Sequence, residues 1–515
     1  MNVKLFSLSV SLVTSGAFLV SCTLNPSHTL PKVQIESAWK NHGESIAHGE
    51  GSQVNLKWWR QFNDATLNSL VEEAYRENLG LRVAALRILE SRALLGLAQG
   101  GLYPQSQAAS GELLHSGRAG SGPDQFINSA SFGFDAAWEL DFWGKFRGSV
   151  YTSEANLLAD LADYDDILVS LTAEVATTYV NIRTLEERIR LAQKNVKLQE
   201  DSQKLVELQL EAGTVTELDV LQAVTLLSTT RAQIPAMRSS LIKYYNALAV
   251  LLGKTPQRIR GTLAGGKGIP QPPENVMVGV PSELLRRRPD IRRAEMVALA
   301  QGAQIGVARA DLFPSFTLFG GLGTSANDAG SGSLDDLFDA DSISYTFGPT
   351  FRWNIFNYGR IKNNVRVQDA RFEQAVTVYE NAVLNAAREV EDGMTGFAQS
   401  REEAKFLLVG VTSSQKSSEL SMLQYEEGLA DYQRVLDSIR SVTGKADQYA
   451  ATQGTIATNL IAMYKALGGG WEFRNRNKSV PPEMIQRMKD RTDWGTYLDP
   501  YDPPVPAPPM MPVEK

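Results

Sequence analysis

The residue types that carry most protein chemistry are few in this chain and stand in poor spacing. One cysteine, Cys22, occurs in 515 residues. Without a second thiol there is no intramolecular disulfide and no thiolate zinc site, so the chemistry left to Cys22 is modification of its own sulfur. The four histidines, His28, His42, His48 and His115, share no metal-ligand spacing, and neither a metal nor a cofactor is expected. Gly253-Lys254-Thr255 has the ending of a phosphate-binding loop. Leu248, however, stands where the first glycine of that loop belongs, and the segment closes a helical stretch instead of opening one. Gly320-Gly321-Leu322-Gly323 lies at the end of a strand and a loop with no dinucleotide-binding helix after it. The adjacent carboxylates Asp165 and Asp166 fall on what reads as a coiled-coil surface. Five arginines between Arg286 and Arg293 have the density of a nucleic-acid patch. With 51 basic against 58 acidic residues and a net charge of −7, they read better as a solvated helix start after Pro281, and no nucleic-acid partner is expected. Enzymatic chemistry is not expected.

If no catalytic constellation exists, the elements must carry the function. Lys4 followed by the apolar, Ser-containing stretch Leu5 to Val20 has the charged and apolar regions of a secretory leader, too short to anchor as a helix. Its end, Leu19-Val20-Ser21-Cys22, resembles a bacterial lipobox, which implies a mature chain beginning at a diacylated Cys22. Thr23 stands where Asp would retain such a lipoprotein at the inner membrane, so the outer membrane is the expected site. Several acyl chains bury enough methylene to hold a protein at a bilayer. No later run reaches the ~18 apolar residues of a spanning helix, so a route through the bilayer must use strands.

A length of 515 residues would fill about three ordinary domains, but the chain repeats itself instead. Leu95-Gly96-Leu97-Ala98 and Leu102-Tyr103-Pro104 return 210 residues later as Ile305-Gly306-Val307-Ala308 and Leu312-Phe313-Pro314. Trp138, Leu140, Trp143, Gly144 and Lys145 return at an offset of 215 as Trp353, Ile355, Tyr358, Gly359 and Arg360, and Gly213 returns as Gly428. Leu241-Ile242, Tyr245 and Ala247-Leu248 match Leu460-Ile461, Tyr464 and Ala466-Leu467 at 219. Between the paired glycines runs a heptad. Leu161, Leu168, Val175, Ile182, Ile189 and Val196 hold one seam position of the first copy, and Val376, Val383, Val390, Phe397, Ala404 and Val411 that of the second. The 3.5-residue period predicts helices wound left-handed about one another. Small residues in the second seam, Ala386, Gly393, Ser400 and Ala404, predict close packing there.

Ahead of each heptad stretch the period changes to two. Phe132, Phe134, Ala136 and Trp138 alternate with Ser131, Gly133, Asp135 and Glu139; Ile343, Tyr345, Phe347, Phe351, Trp353 and Ile355 alternate with polar residues in the second copy. Each run has the ~9–11 residues of a membrane strand. Each follows a weaker strand, 105–114 or 314–323, after a Gly/Ser/Asp-rich loop. A soluble sheet with one dry face would alternate in the same way; the leader and the lack of a spanning helix favour a barrel. Four strands enclose no lumen and a bilayer tolerates no open edge, so several copies must share the barrel. Two copies give 8 strands with a filled interior, and three give 12 with room for a pore.

Val280-Pro281-Ser282-Glu283-Leu284-Leu285-Arg286-Arg287-Arg288-Pro289-Asp290-Ile291, then Ala294-Glu295 and Ile305-Gly306 to Phe313-Pro314, resemble the signature of the outer membrane factor family, in its NodT/OprM-like lipoprotein branch related to TolC. Trp58-Trp59, Phe62 and Asp64 before Leu67 and Leu70 resemble that branch's N-terminal motif, and the resemblance runs from the lipobox to about Trp471. It implies a mainly α fold with a membrane β-barrel: a homotrimer whose tandem-duplicated helices form a periplasmic tunnel and whose four strands per chain build a 12-stranded barrel. The implied organisation is a leader over 1–21 and a lipidated segment over 22–64. A first repeat follows over 65–260, with helix 65–100, hairpin 105–139, long helix 145–211 and return helix 216–252. A linker, 261–281, precedes a second repeat over 282–471, with helix 282–311, hairpin 314–355, long helix 360–426 and return helix 431–467. Nine of the 22 prolines crowd into the tail, 472–515, which reads as extended or disordered.

The resemblance also implies roles. The turns around Gly213-Thr214 and Gly428-Leu429 form the tip that docks a periplasmic adaptor protein, itself joined to an inner-membrane pump. Asp437 and Arg440, with Asp219 and Gln222 in the analogous place of the first copy, fall at the closed periplasmic gate. Two departures stand out: Glu427 occupies a position where the branch often has an apolar residue or threonine, and Gln433 one where it commonly carries an apolar plug. The implied activity is passive exit of substrates handed over by pump and adaptor. The alternatives are a duct for protein secretion or, in another class, a surface-anchored structural or adhesive coiled-coil lipoprotein.

Overall fold

The computed structural model describes residues 31, 33, 46–48, 57–118, 125–263, 268–273, 276–278, 287–330, 332–474 and 480–499. The leader, Cys22, His28 and His42 lie outside the described residues. In chain order the elements are β1 (Ile46–His48), α1 (Ala65–Glu77), α2 (Leu79–Gly100), β2 (Ser106–Arg118), β3 (Gln125–Leu140), α3 (Lys145–Glu211), α4 (Glu217–Leu251), β4 (Val276–Val278), α5 (Pro289–Ala310), β5 (Ser315–Asn327), β6 (Ile343–Arg352), α6 (Arg360–Glu426), α7 (Tyr432–Ala466) and α8 (Pro482–Arg491). Both long helices have 67 residues and both return helices 35.

The expected helix 65–100 is two helices. Asn78 takes an extended conformation between α1 and α2. Its backbone N–H closes α1 on the Ala74 carbonyl, its side-chain oxygen accepts from Leu81 N at 2.9 Å to open α2, and its amide donates to the Leu251 carbonyl at 2.9 Å. A short polar side chain that can bond the backbone on both sides competes with the helix it interrupts. The tail differs too: α8 and a 3₁₀ turn at Gly495–Leu498 give ordered structure to part of a segment expected to be extended. Pro481 and Pro482 sit at the helix start, where proline's missing N–H costs nothing.

One compact unit comprises residues 89–159 and 294–379 of the described chain. It holds a four-stranded antiparallel sheet in the order β2-β3-β5-β6, the two hairpins meeting at β3 and β5. Register puts Phe134 opposite Leu322 and Leu322 opposite Tyr345 on one face, and Gly133 opposite Gly323 and Gly323 opposite Ser344 on the other. The strands run further than alternation indicates, β2 to Arg118 and β5 to Asn327, because ladder bonds persist into polar sequence. Gly320 to Gly323 therefore lie mid-strand instead of at a strand end. A Cβ on Gly323 would stand 3.1 Å from the Phe132 carbonyl, so glycine allows β3 its close approach. The 210-residue offset breaks after Pro104: β2 and β5 correspond at 209, Ser106 to Ser315, leaving Gln105 as an extra residue. Its amide donates to the carbonyls of Gly101 and Glu139 and accepts from Glu139 N, pinning the hairpin base.

The other unit, residues 57–88, 160–293 and 380–499 of the described chain, is built around the heptads. Leu161, Leu168, Val175 and Ile182 of α3 and Val383, Val390 and Phe397 of α6 are buried as expected. Past Ala192 the first seam shifts by one residue: Asn195, Gln199 and Ser202 are buried and Val196 is half-buried. Helix α7 packs closely on both long helices. A Cβ on Gly393 of α6 would lie 2.9 Å from the Met463 backbone, and one on Gly454 of α7 would collide with the Thr184 side chain of α3.

The 219-residue match between the return helices is also corrected. Gly253 (φ +62) and Gly468 (φ +68) end α4 and α7 with the same bonds, Lys254 N to the Ala249 carbonyl and Gly469 N to the Tyr464 carbonyl, so the offset of the return helices is 215, as it is for the long helices. A slip of four residues moves about one turn along the same helix face, so the two alignments give similar apolar patterns.

The motif residues that carry the resemblance are structural. Trp58 stacks on Tyr464 at 5.4 Å, and Trp59 meets Phe473 edge-on at 4.9 Å. Asp64 caps α1 through Thr66 N and Leu67 N and accepts from the Tyr179 hydroxyl at 2.7 Å. Within the arginine cluster Arg288 is not solvated: it is buried, donating to the Ala466 carbonyl at the end of α7 and to Asp290 and Glu389. Asp165 is likewise no surface carboxylate. It is fully buried and paired with Arg474 at 2.9 Å.

Candidate functional site

The candidate site lies where the long helices turn back. Gly213 takes φ +73 and Gly428 φ +74, a conformation that costs an L side chain about 1–2 kcal/mol. Each turn closes with the same pair of bonds: Gly213 N to the Leu210 carbonyl with Thr214 N to Gln209, and Gly428 N to Tyr425 with Leu429 N to Gln424. These are the glycine-terminated caps that satisfy a helix's last carbonyls. Around both glycines the space is open: a Cβ at either position would have no atom within 4 Å beyond its chain neighbours. Thr214 is exposed, its hydroxyl spent on the Gln209 carbonyl at 3.0 Å, and Leu429 is 76% exposed. An apolar side chain held in water by a rigid turn gains free energy when another surface covers it.

Caps start the return helices. Thr216 and Asp219 form a reciprocal box in which Thr216 N donates to the Asp219 carboxylate at 3.0 Å. Asp431 accepts from Arg434 N at 3.0 Å. One of the expected gate carboxylates, Asp219, thus shapes its own turn. Gln222, one turn on, has a buried side-chain oxygen with no hydrogen-bond partner. In the second copy Asp437 accepts from Gln433 at 3.1 and 3.2 Å and from Arg440 at 3.0 Å, all along one exposed face of α7. Among the described residues no hydrogen bond or ion pair joins Asp219 or Gln222 to Asp437 or Arg440.

Behind the turns a small core of Val206, Ala223, Val435, Leu436 and Ile439 holds the four helix ends together, with Tyr425 and Tyr432 set in it 5.3 Å apart. The Tyr432 hydroxyl meets Ser202 at 2.9 Å, Tyr425 donates to Gln209, and Ser421 meets Ser438 at 2.7 Å. Burial, with Tyr432 and Asp219 nearby, pushes the Tyr425 phenol up to about 12, so it remains a donor at neutral pH. Sequence reasoning misses this polar seam, although a signal for it exists. Beyond Ala192 the seam carries Asn195, Gln199 and Ser202, and two tyrosines stand seven residues apart across Gly428.

The chain matches the family model described as "Outer membrane efflux protein" over residues 70–254 and 280–469. It is 29% identical over 488 residues to the toluene efflux pump outer membrane protein TtgF of Pseudomonas putida, covering 92% of this chain and 98% of that one. It is 30% identical over 473 residues to a probable outer membrane lipoprotein, SilC, of Salmonella typhimurium, covering 91% and 99%. The solved outer-membrane channel OprN superposes with a TM-score of 0.80 at 30% identity, covering 88% of this chain and all of that one.

Proposed function

This chain belongs to the outer membrane efflux protein family, and we propose that it works as a passive homotrimeric exit duct, receiving substrates from a periplasmic adaptor protein and an inner-membrane pump and performing no chemistry of its own. The observation that carries this reading is the sheet. Its four strands end on two open edges, one face is aromatic and exposed along β6 at Tyr345, Phe347 and Phe351, and each hairpin leads into a 67-residue helix. Open edges are not tolerated in lipid, and three copies supply twelve strands, enough for a lumen. Acyl chains on Cys22 anchor each chain beside that barrel.

At the periplasmic end, Gly213, Thr214, Gly428 and Leu429 present the turns to the adaptor. Three copies of Asp437 about the threefold axis make an acidic ring, and Arg440 beside each carboxylate offsets the repulsion. Asp219 supports the gate by fixing the first turn, and Gln222 offers an unused acceptor to a neighbour. The test is native mass measurement in detergent together with conductance in planar bilayers. A trimer that conducts is expected. A strict monomer without channels would sink the proposal in favour of an adhesive or structural lipoprotein.

A further inference from the structure

The aromatic face of the sheet runs out of large side chains sooner on its two central strands than on the outer ones. On that face β5 presents Phe316, Leu318 and Leu322, then only Thr324 and Ala326, while β3 presents Trp138, Phe134 and Phe132, then Ala130 and Asn128. From Phe316 to Leu322 a strand tilted ~40° climbs ~15 Å, short of the ~25 Å apolar band of a barrel, and Ala326 is the position that reaches ~25 Å. At that level the outer strands are still apolar. Leu113, opposite Ala130, is 84% exposed, and Ile343, opposite Thr324, is exposed as well. One rung further the face turns polar: His115 meets Asn128 at 2.7 Å, and the Asn128 amide donates to Asp328 at 2.5 Å. The alanine patch therefore lies inside the apolar band and not above it.

The loop between β5 and β6 covers that patch. Its 3₁₀ turn, Leu334–Phe338, lies against β3 and β5, and Ala130 and Ala326 are left only 4% and 8% exposed. The Thr324 hydroxyl donates to the Leu337 carbonyl and the Ser342 hydroxyl to the Asp336 carbonyl at 2.6 Å, so the turn is held from β5 and from the start of β6. Thr324 belongs to the aromatic face; a loop closing the lumen would seat on the opposite face, that of Gly323 and Ser325. The turn's own outer surface is apolar again, with Phe338 82% exposed and Leu334 exposed. Asp335 and Asp339 stand exposed between and beside them. Apolar and charged side chains mixed on one short surface element suit the boundary between acyl chains and headgroups. We infer that the Leu334–Phe338 turn binds the outer leaflet of the membrane, with Phe338 and Leu334 among the acyl chains and Asp335 and Asp339 at headgroup level. The inference rests on the exit-duct reading, which puts the aromatic face in lipid, and adds a loop to that interface.

Spin labelling of the full-length protein, reconstituted in vesicles of phosphatidylethanolamine and phosphatidylglycerol, tests the inference. A nitroxide on the Phe338→Cys variant should collide often with oxygen, which concentrates in lipid, and rarely with a water-soluble nickel chelate. Its oxygen-to-nickel ratio should exceed severalfold that of Ala329→Cys, at an exposed position of the same loop. Leu334→Cys repeats the measurement if Phe338→Cys assembles poorly, and the parent chain, treated in parallel, reports any label taken by Cys22. Phe347→Cys, on the exposed aromatic face of β6, is the lipid reference. Free access of nickel to the Phe338→Cys label, with the Phe347→Cys label in lipid, overturns the inference and leaves the exit duct standing. Shielding of the Phe338→Cys label from both probes would mean that a neighbouring copy covers the turn, and overturns it equally. Nickel access at Phe347→Cys as well takes the sheet out of the membrane and overturns both readings.

Discussion

Asp166 lies one residue beyond the buried Asp165–Arg474 pair, and its carboxyl is pushed up to about 6. Burial is the main cause; Asp290 and Asp163 add to it, and Arg288 and Lys465 oppose it. In an unfolded chain the same group titrates near 4. Between those values the folded protein holds a proton that the unfolded chain has released, so this residue's contribution to stability falls as pH rises from about 4 to about 6. Asp166→Asn should remove that loss: thermal unfolding followed across the window should show a shallower decline in the variant, by at most ~1.4 kcal/mol per pH unit. Parallel curves would mean that Asp166 is ordinarily solvated. At the proposed gate, Asp437→Ala or Arg440→Ala should raise single-channel conductance by removing one of the two charges that face each other at 3.0 Å. Unchanged conductance removes them from the constriction.

Two glycines on the long-helix framework do different work at the scale of elements. Gly393 is a contact residue: the Met463 backbone leaves no room for a Cβ, and α7 could not approach α6 as it does. Gly428 touches nothing and is required by φ +74 alone. Gly428→Trp should therefore leave the trimer assembled, at a backbone cost of about 1–2 kcal/mol. It should abolish export in cells that carry the cognate pump and adaptor, because the bulk stands at the turn proposed to dock the adaptor. Loss of the trimer in that variant would make the turn a purely structural feature. The break at Asn78 belongs to this scale as well. Helix propensity and the apolar period continue across it, and only the Leu251 carbonyl, 173 residues away, gives the side-chain amide a partner that stabilises the interruption.

For the whole molecule, attachment to the membrane has two sources of unequal strength. The acyl chains proposed on Cys22 would hold a chain at the surface, whereas a closed barrel cannot leave the bilayer without exposing its aromatic face. A chain whose leader and Cys22 are replaced by an ordinary cleavable leader should remain in the outer membrane through an alkaline carbonate wash. Release into the wash would show that the lipid, and not the sheet, anchors the protein.

Periodicity and repetition, both local properties of the chain, determined most of the architecture from sequence alone. A 3.5-residue period with glycine at each end yields two 67-residue helices, alternation yields strands, and the duplicated motifs place both at matching positions. The two reversing turns are legible for the same reason, since a helix that reverses needs a residue tolerant of positive φ. The tertiary structure decided what depends on distant partners. Arg288 and Asp165 are buried because carbonyls and opposite charges arrive from α7, α6 and the tail, whereas charge alone marks them as surface. The polar seam of Ser202 and Tyr432 depends on α7 lying against α3. The offsets of 209 for β2 and β5 and of 215 for the return helices were also decided by the tertiary structure, because a helix tolerates a four-residue slip and a hairpin absorbs one extra residue with little trace in the apolar pattern.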